Sequence, residues 1–171
     1  SYGYNGWGFL EGSIRQEKTS TLKKGNNSFW YPSASASVLY TELLKDQMPT
    51  WWNYGKVRAS YGIVGNAPEL YRAVLAFKQE SLLRGSTYSY NYIDKSIGNE
   101  SIKPETKYEF EIGLENKFFG NRLGMEFNFY SNTIKDQILQ TTSAASMGAQ
   151  SMLMNVGELS NKGVEFSVYG T

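Results

Sequence analysis

The sequence predicts an all-β chain, about six antiparallel strands forming part of a transmembrane β-barrel, on three observations. Apolar and polar residues alternate with a period of two along several segments, which sends the two kinds to opposite faces of a strand. The links between those segments are alternately short and long. The composition favours pleated surfaces: 15% of residues are aromatic, Tyr numbers 13 and Pro only 4. No run of roughly 18 apolar residues occurs, which excludes helical membrane spans. Barrel strands are untouched by that exclusion, because their alternation hides the apolar face from a sliding window.

Taken in order, Leu10, Gly12 and Ile14 oppose Glu11, Ser13 and Arg15, with Trp7 and Phe9 blurring the register. The stretch from Trp30 to Tyr40 is the clearest. Its even positions read Trp30, Pro32, Ala34, Ala36, Val38 and Tyr40, and Ser fills most of the odd ones. It would run roughly 33 Å, and a tilt of about 40° turns that into the ~25 Å height of a barrel's apolar band, with an aromatic at each rim. Pro32 cannot donate to a ladder and belongs near its end. Val57, Ala59, Tyr61 and Ile63 alternate with Lys56, Arg58, Ser60 and Gly62. Tyr108, Phe110, Ile112 and Leu114 alternate with Lys107, Glu109, Glu111, Gly113 and Glu115. Leu123, Met125, Phe127 and Phe129 oppose Gly124, Glu126, Asn128 and Tyr130; Val164, Phe166 and Val168 oppose Glu165, Ser167 and Tyr169.

Phe118 to Arg122, containing Gly120-Asn121, reads as a tight turn. The link before it, Val64 to about Thr106, is roughly forty residues, and the one after it, Asn132 to about Asn161, roughly thirty; such lengths are usually functional. Outer-membrane barrels have short periplasmic turns and long external loops. Gly120 and the stretch from Thr41 to Gly55 are therefore expected in the periplasm, with Lys18 to Asn27 and the two long links outside. Leu43-Leu44 and Trp51-Trp52 are expected to fold back on the barrel rim.

The net charge of +1 offers no electrostatic basis for binding nucleic acid. With no Cys and no His, disulfides, thiolate metal sites, Cys nucleophiles and His-based triads are impossible. Glu109, Glu111 and Glu126 could imitate a glycosidase pair, but their alternation with apolar residues makes them lumen-facing strand positions, as it does Arg58. There they would pair with Lys107, Arg58 and Lys56. Asp94 and Asp136, with Asn91 and Asn99, lack the order of a calcium loop, so no metal and no cofactor is expected. Tyr88, Tyr90 and Tyr92 in the longest external link offer flat faces with polar tips, suited to a sugar or a peptide; packing within the loop or on a partner competes. Met147, Met152 and Met154, with Leu153, form an apolar cluster suited to a partner contact or to loop packing. Ser1 to Trp7 lack the charged start and apolar core of a signal peptide, and the chain is expected to be a piece of a larger barrel.

Several stretches, in order, resemble the C-terminal barrel half of SusC/RagA-type TonB-dependent transporters of Bacteroidetes. They are "KVRASYGIVGN" (56–66), "NESIKPET" (99–106), the strand-turn-strand beginning "YEFEIGLENKFFGNRLG" at Tyr108, and "NVGELSNKGVEFSV" (155–168). The Trp30 to Tyr40 strand is similar to the family's F-P-S-x-S-x-x-W. Glu100, Pro104 and Tyr40 depart from the family's usual Pro, Trp and Trp, and leave the substrate open. The resemblance implies one 22-stranded plugged barrel of which residues 1–171 are a part, with plug and N-terminal regions outside this chain. It implies import of oligosaccharides or peptides with a SusD-like lipoprotein and the TonB complex, an outer-membrane location among lipid, and no enzymatic activity. A non-transporting barrel within an outer-membrane assembly, a passive porin and a soluble glycan-binding β-sandwich compete with it.

Overall fold

The computed structural model describes residues 1–25, 27–69, 77–83, 87–93, 96–144, 146, 148 and 150–170. Its elements, in chain order, are β1 (Tyr2–Tyr4), β2 (Gly8–Lys18), β3 (Ser28–Leu39), α1 (Tyr40–Leu43), β4 (Trp52–Asn66), β5 (Phe77–Leu83), β6 (Thr87–Ile93), β7 (Ser96–Ile97), β8 (Glu105–Phe118), β9 (Leu123–Thr142) and β10 (Ser151–Gly170). One sheet has the order β1-β2-β3-β4-β8-β9-β10-β7, and β5-β6 form a separate pair. All neighbours are antiparallel except β7, which runs parallel to the start of β10. The six strands that alternation predicts are β2, β3, β4, β8, β9 and β10.

Register lines the alternations up across the sheet. Leu10, Ala36, Ala59, Ile112, Phe129 and Val164 are partners along one row, and Val38, Val57, Leu114, Phe127 and Phe166 along the next. Glu11, Ser35, Ser60, Glu111 and Tyr130 fill a row of the opposite face. A slip of one residue in any strand would put charges into the apolar rows, so pairing is strongly specified. Pro32 lies just past Ser33–Gly62, the end of the β3–β4 ladder, while the β2–β3 ladder continues through Ile14–Pro32 to Lys18–Ser28. The apolar face stays uncovered: Ile14 is 67% exposed, and Val164 and Phe166 are 61% exposed each. Among the described residues the buried aliphatic side chains are Leu22, Ile102 and Leu153, at the end of the sheet where the long links lie.

At the tight-turn end, aromatic side chains gather. Trp51 stacks on Phe119 and on Trp52, with ring centroids 5.8 and 6.1 Å apart, and Trp52 meets Phe118 at 5.5 Å. The Phe119 and Gly120 amides donate to Trp51 O (2.7 Å) and Asn53 Oδ1 (2.6 Å), so the turn is tied to the start of β4 and the residue before it. The fold-back of Trp51-Trp52 is present, whereas Leu43 and Leu44 remain 46% and 41% exposed. Asn5 and Gly6 take left-handed φ values of 46° and 74° between β1 and β2. That Asn-Gly between Tyr4 and Trp7 is a strong hairpin signal, and sequence reasoning passed over it.

The other end corrects an expectation. Asn132 to Asn161 is no thirty-residue loop: β9 and β10 have 20 residues each, and their ladder continues to Thr142–Ser151. Nineteen steps at about 3.3 Å, tilted by about 40°, rise roughly 48 Å, well above a ~25 Å apolar band. Above that band neither face needs to be apolar, so Lys135, Asp136, Gln137 and Gln140 continue the strand without the alternation that would betray it. The forty-residue link likewise holds β5, β6 and β7.

Candidate functional site

Arg58 is the centre of the polar face. Its register partner is Gly113, whose own partner is Asn128. A Cβ at Gly113 would lie 2.5 Å from Arg58 Nε and 2.6 Å from Asn128 Oδ1, so the missing side chain is what lets the guanidinium cross the strand. From there Arg58 Nη2 donates to Glu111 Oε1 and to Asn128 Oδ1, both at 3.0 Å, and stands 3.7 Å from Glu126 Oε1. Glu109 pairs with Lys107 on its own strand. The predicted residues Arg58, Glu111 and Glu126 are thus one cluster, and Glu109 belongs to a neighbouring pair. Their side chains are 39–49% exposed, so each pair contributes little to stability, on the order of 0–1 kcal/mol. Beside the cluster the sheet encloses a concavity of about 520 Å³, lined by Glu11, Ser33, Ser60, Glu109, Tyr130 and Glu165 among others. Ser13 and Ser33 hydroxyls share a 2.7 Å hydrogen bond along that wall. Hydroxyls and carboxylates of this kind bind polar, hydrogen-bonding groups.

Tyr88, Tyr90 and Tyr92 lie on β6, on the face of the hairpin that carries Glu80 of β5. The Tyr90 and Tyr92 hydroxyls donate to the two oxygens of Glu80, at 2.6 and 3.2 Å. The bond to that carboxylate is the main cause holding the Tyr90 phenol above its ordinary pKa, with burial and neighbouring charge adding to it. Tyr88 is 63% and Tyr90 43% exposed, so both rings are open to contact. Met152 and Met154 are half-buried on β10, while Leu153 between them turns to the opposite face and is buried. The expected Met–Leu cluster therefore splits across two faces of a strand. Met147 and Asp94 lie outside the described residues. The tyrosine hairpin and the methionine strand belong to different sheets. Among the described residues no group of three or more acidic side chains is placed to hold a metal ion.

An open antiparallel sheet with an exposed apolar face, a charged opposite face and ends of unequal height is the wall of a membrane β-barrel. The chain belongs to the family described as TonB dependent receptor-like, beta-barrel, whose model matches residues 1–171. Barrels of that family are outer-membrane proteins. The chain is similar to TonB-dependent receptor P3 of Formosa agariphila, at 30% identity over 162 residues (91% of this chain and 16% of the relative). TonB-dependent receptor P26 of the same organism is 31% identical over 163 residues, 92% of this chain and 16% of the relative. Among solved structures, the RagAB peptide importer in its closed-closed state superposes with a TM-score of 0.86 at 25% identity, over 99% of this chain and 18% of that one. The chain is of the SusC/RagA type and spans 16% of the length of these curated relatives. A soluble sandwich is thereby set aside, since the apolar face is exposed where a sandwich would cover it.

Proposed function

We propose that the protein imports oligosaccharides or peptides across the outer membrane, driven through TonB and working with a SusD-like surface lipoprotein. The observation that carries this reading is the match of 99% of the chain to a wall segment of the RagAB peptide importer. In this reading the chain is scaffold of one barrel domain rather than an enzyme. The apolar face meets lipid, while Arg58, Glu109, Glu111 and Glu126 face the lumen, where ion pairs keep the wall polar. The tight turns lie in the periplasm. Tyr88, Tyr90 and Tyr92, with Met152 and Met154, stand outside and contact lipoprotein or substrate. Plug and TonB engagement belong to parts of the protein other than these residues.

Deleting the gene in its native host and growing the strain on defined peptide or oligosaccharide mixtures tests the proposal. Growth should be lost on one of these nutrient classes and restored by the full-length gene, and a surface lipoprotein should copurify with the barrel. Unchanged growth on every mixture, with no lipoprotein retained, would instead favour a barrel recruited into an assembly.

A further inference from the structure

Where the long links meet the sheet, five separate segments converge, and the contacts there are unlike those elsewhere in the wall. Leu22 from the β2–β3 link, Ile102 from the link into β8, and Leu153 from β10 bury one another at 6%, 1% and 8% exposure, with Phe29 and Ile138 packed against them. Around this core most of the polar contacts are made by side chains to backbone. Asn155 Nδ2 donates to Lys103 O (2.8 Å) and to Asp136 O (2.7 Å), while its Oδ1 accepts from Lys103 N (2.9 Å). Both amide protons and the carbonyl of one residue are thus committed to two other segments. Asn99 Nδ2 donates to Leu153 O at 3.0 Å, and Asn99 Oδ1 accepts from Ser101 N at 3.0 Å. Glu105 accepts from Ile138 N at 2.8 Å and from Asn66 Nδ2 at 3.2 Å. Lys23 pairs with Glu100.

The location has a physical reason. β8 stops pairing with β9 at Thr106–Lys135, yet β9 continues to Thr142 and would present an open edge. At that level Asp136 takes a left-handed φ of 55°, and the β9–β10 register shifts on either side of Gly157. The side chains of Glu105 and Asn155 supply hydrogen bonds at the place where the ladder is interrupted.

We propose that Asn99, Glu105 and Asn155 form a clasp that fixes the tall ends of β9 and β10, the end of β4 and the entry into β8 as one rigid unit. Three stretches that carry the family resemblance meet here: Asn66 ends the first, Asn99 to Thr106 is the second, and Asn155 opens a third. Their shared role is to hold the rim, positioning whatever the long links carry, with no contact to cargo required. The clasp stands on geometry alone and does not depend on what the barrel transports.

Hydrogen–deuterium exchange on the full-length protein in detergent tests it. Asn155→Ala should raise exchange about tenfold or more in peptides covering 99–105 and 136–140, with 108–117 of β8 unchanged. Asn155→Asp, which sets a carboxylate oxygen against the Lys103 and Asp136 carbonyl oxygens, should raise exchange in those peptides at least as much as Asn155→Ala. Unchanged exchange in those peptides overturns the clasp, as does a rise spread evenly through the wall strands. If Asn155→Ala yields no assembled barrel, Asn99→Ala decides, because it leaves Asn155 intact and removes only the bonds of Asn99 to Leu153 O and Ser101 N. Raised exchange in peptides covering 99–105 and 151–155 supports the clasp, and native exchange there overturns it.

Discussion

At the scale of single residues, the two faces make opposite demands on adjacent positions. Glu126 and Phe127 are consecutive on β9, yet Glu126 stands beside Arg58 and Phe127 lies in a row with Leu114 and Phe166. Phe127→Lys should destabilise the full-length barrel by about 2–4 kcal/mol, the range for a basic residue on a lipid face near the midplane, whereas Glu126→Lys should cost less than about 1 kcal/mol. Urea unfolding from lipid vesicles measures both, and equal costs would refute the assignment of the faces. Arg58 sets a second expectation. Gly113→Leu should displace the guanidinium from Glu111 and Asn128, because the space it crosses is the space a side chain would fill. The barrel should still assemble, since the pairs lost are half-exposed, and the change is read as weakened interstrand coupling in a double-mutant cycle with Arg58→Ala.

At the scale of elements, the aromatic foot and the tall hairpin are the features that strand alternation alone does not describe. Trp52 shares the apolar face with Asn116, and Tyr40 Oη and Trp52 Nε1 both donate to Asn116 Oδ1. A polar side chain on the apolar face is satisfied in this way, and on the proposed orientation the rings around it suit the headgroup region. Trp51→Phe/Trp52→Phe in the full-length protein should remove a fluorescence component quenched more by bromine near the headgroups than by bromine at mid-chain. Quenching that is the same before and after the substitution would sink this reading. For the tall hairpin, a Cys at Gln140 should react with an impermeant maleimide added to intact cells, and a Cys at Phe127 should not. These two elements also mark how far the sequence could be read. Alternation revealed every strand where one face must be apolar, from Leu10 to Val168. It failed at Lys135 to Gln140, because beyond the apolar band no continuous apolar face is required, and these strands are held by their backbone ladder, by side chains such as Glu105 and Asn155, and by isolated apolar contacts such as Ile138 on the small core. Arg58, Glu111 and Glu126 were legible as neighbours on one face, while the role of Gly113 in joining them needed the register. Tyr88, Tyr90 and Tyr92 were legible as a group, but not Glu80, which lies on the neighbouring strand β5.

At the scale of the whole molecule, an eight-stranded sheet with an uncovered apolar face is incomplete as a soluble body and complete as part of a membrane wall. The free edge of β10 beyond its short pairing with β7, and the edge of β2 beyond β1, are where neighbouring strands of a closed barrel would pair. The full-length protein should accordingly fractionate with the outer membrane and run faster on gels unheated than boiled. The central claim is that consecutive residues of each strand face lipid and lumen in turn, and a nitroxide scan of Leu123 to Tyr130 in reconstituted full-length barrel measures this directly. Oxygen accessibility should alternate with a period of two, with maxima at Leu123, Met125, Phe127 and Phe129. Maxima at the even positions, or no alternation, would contradict the account.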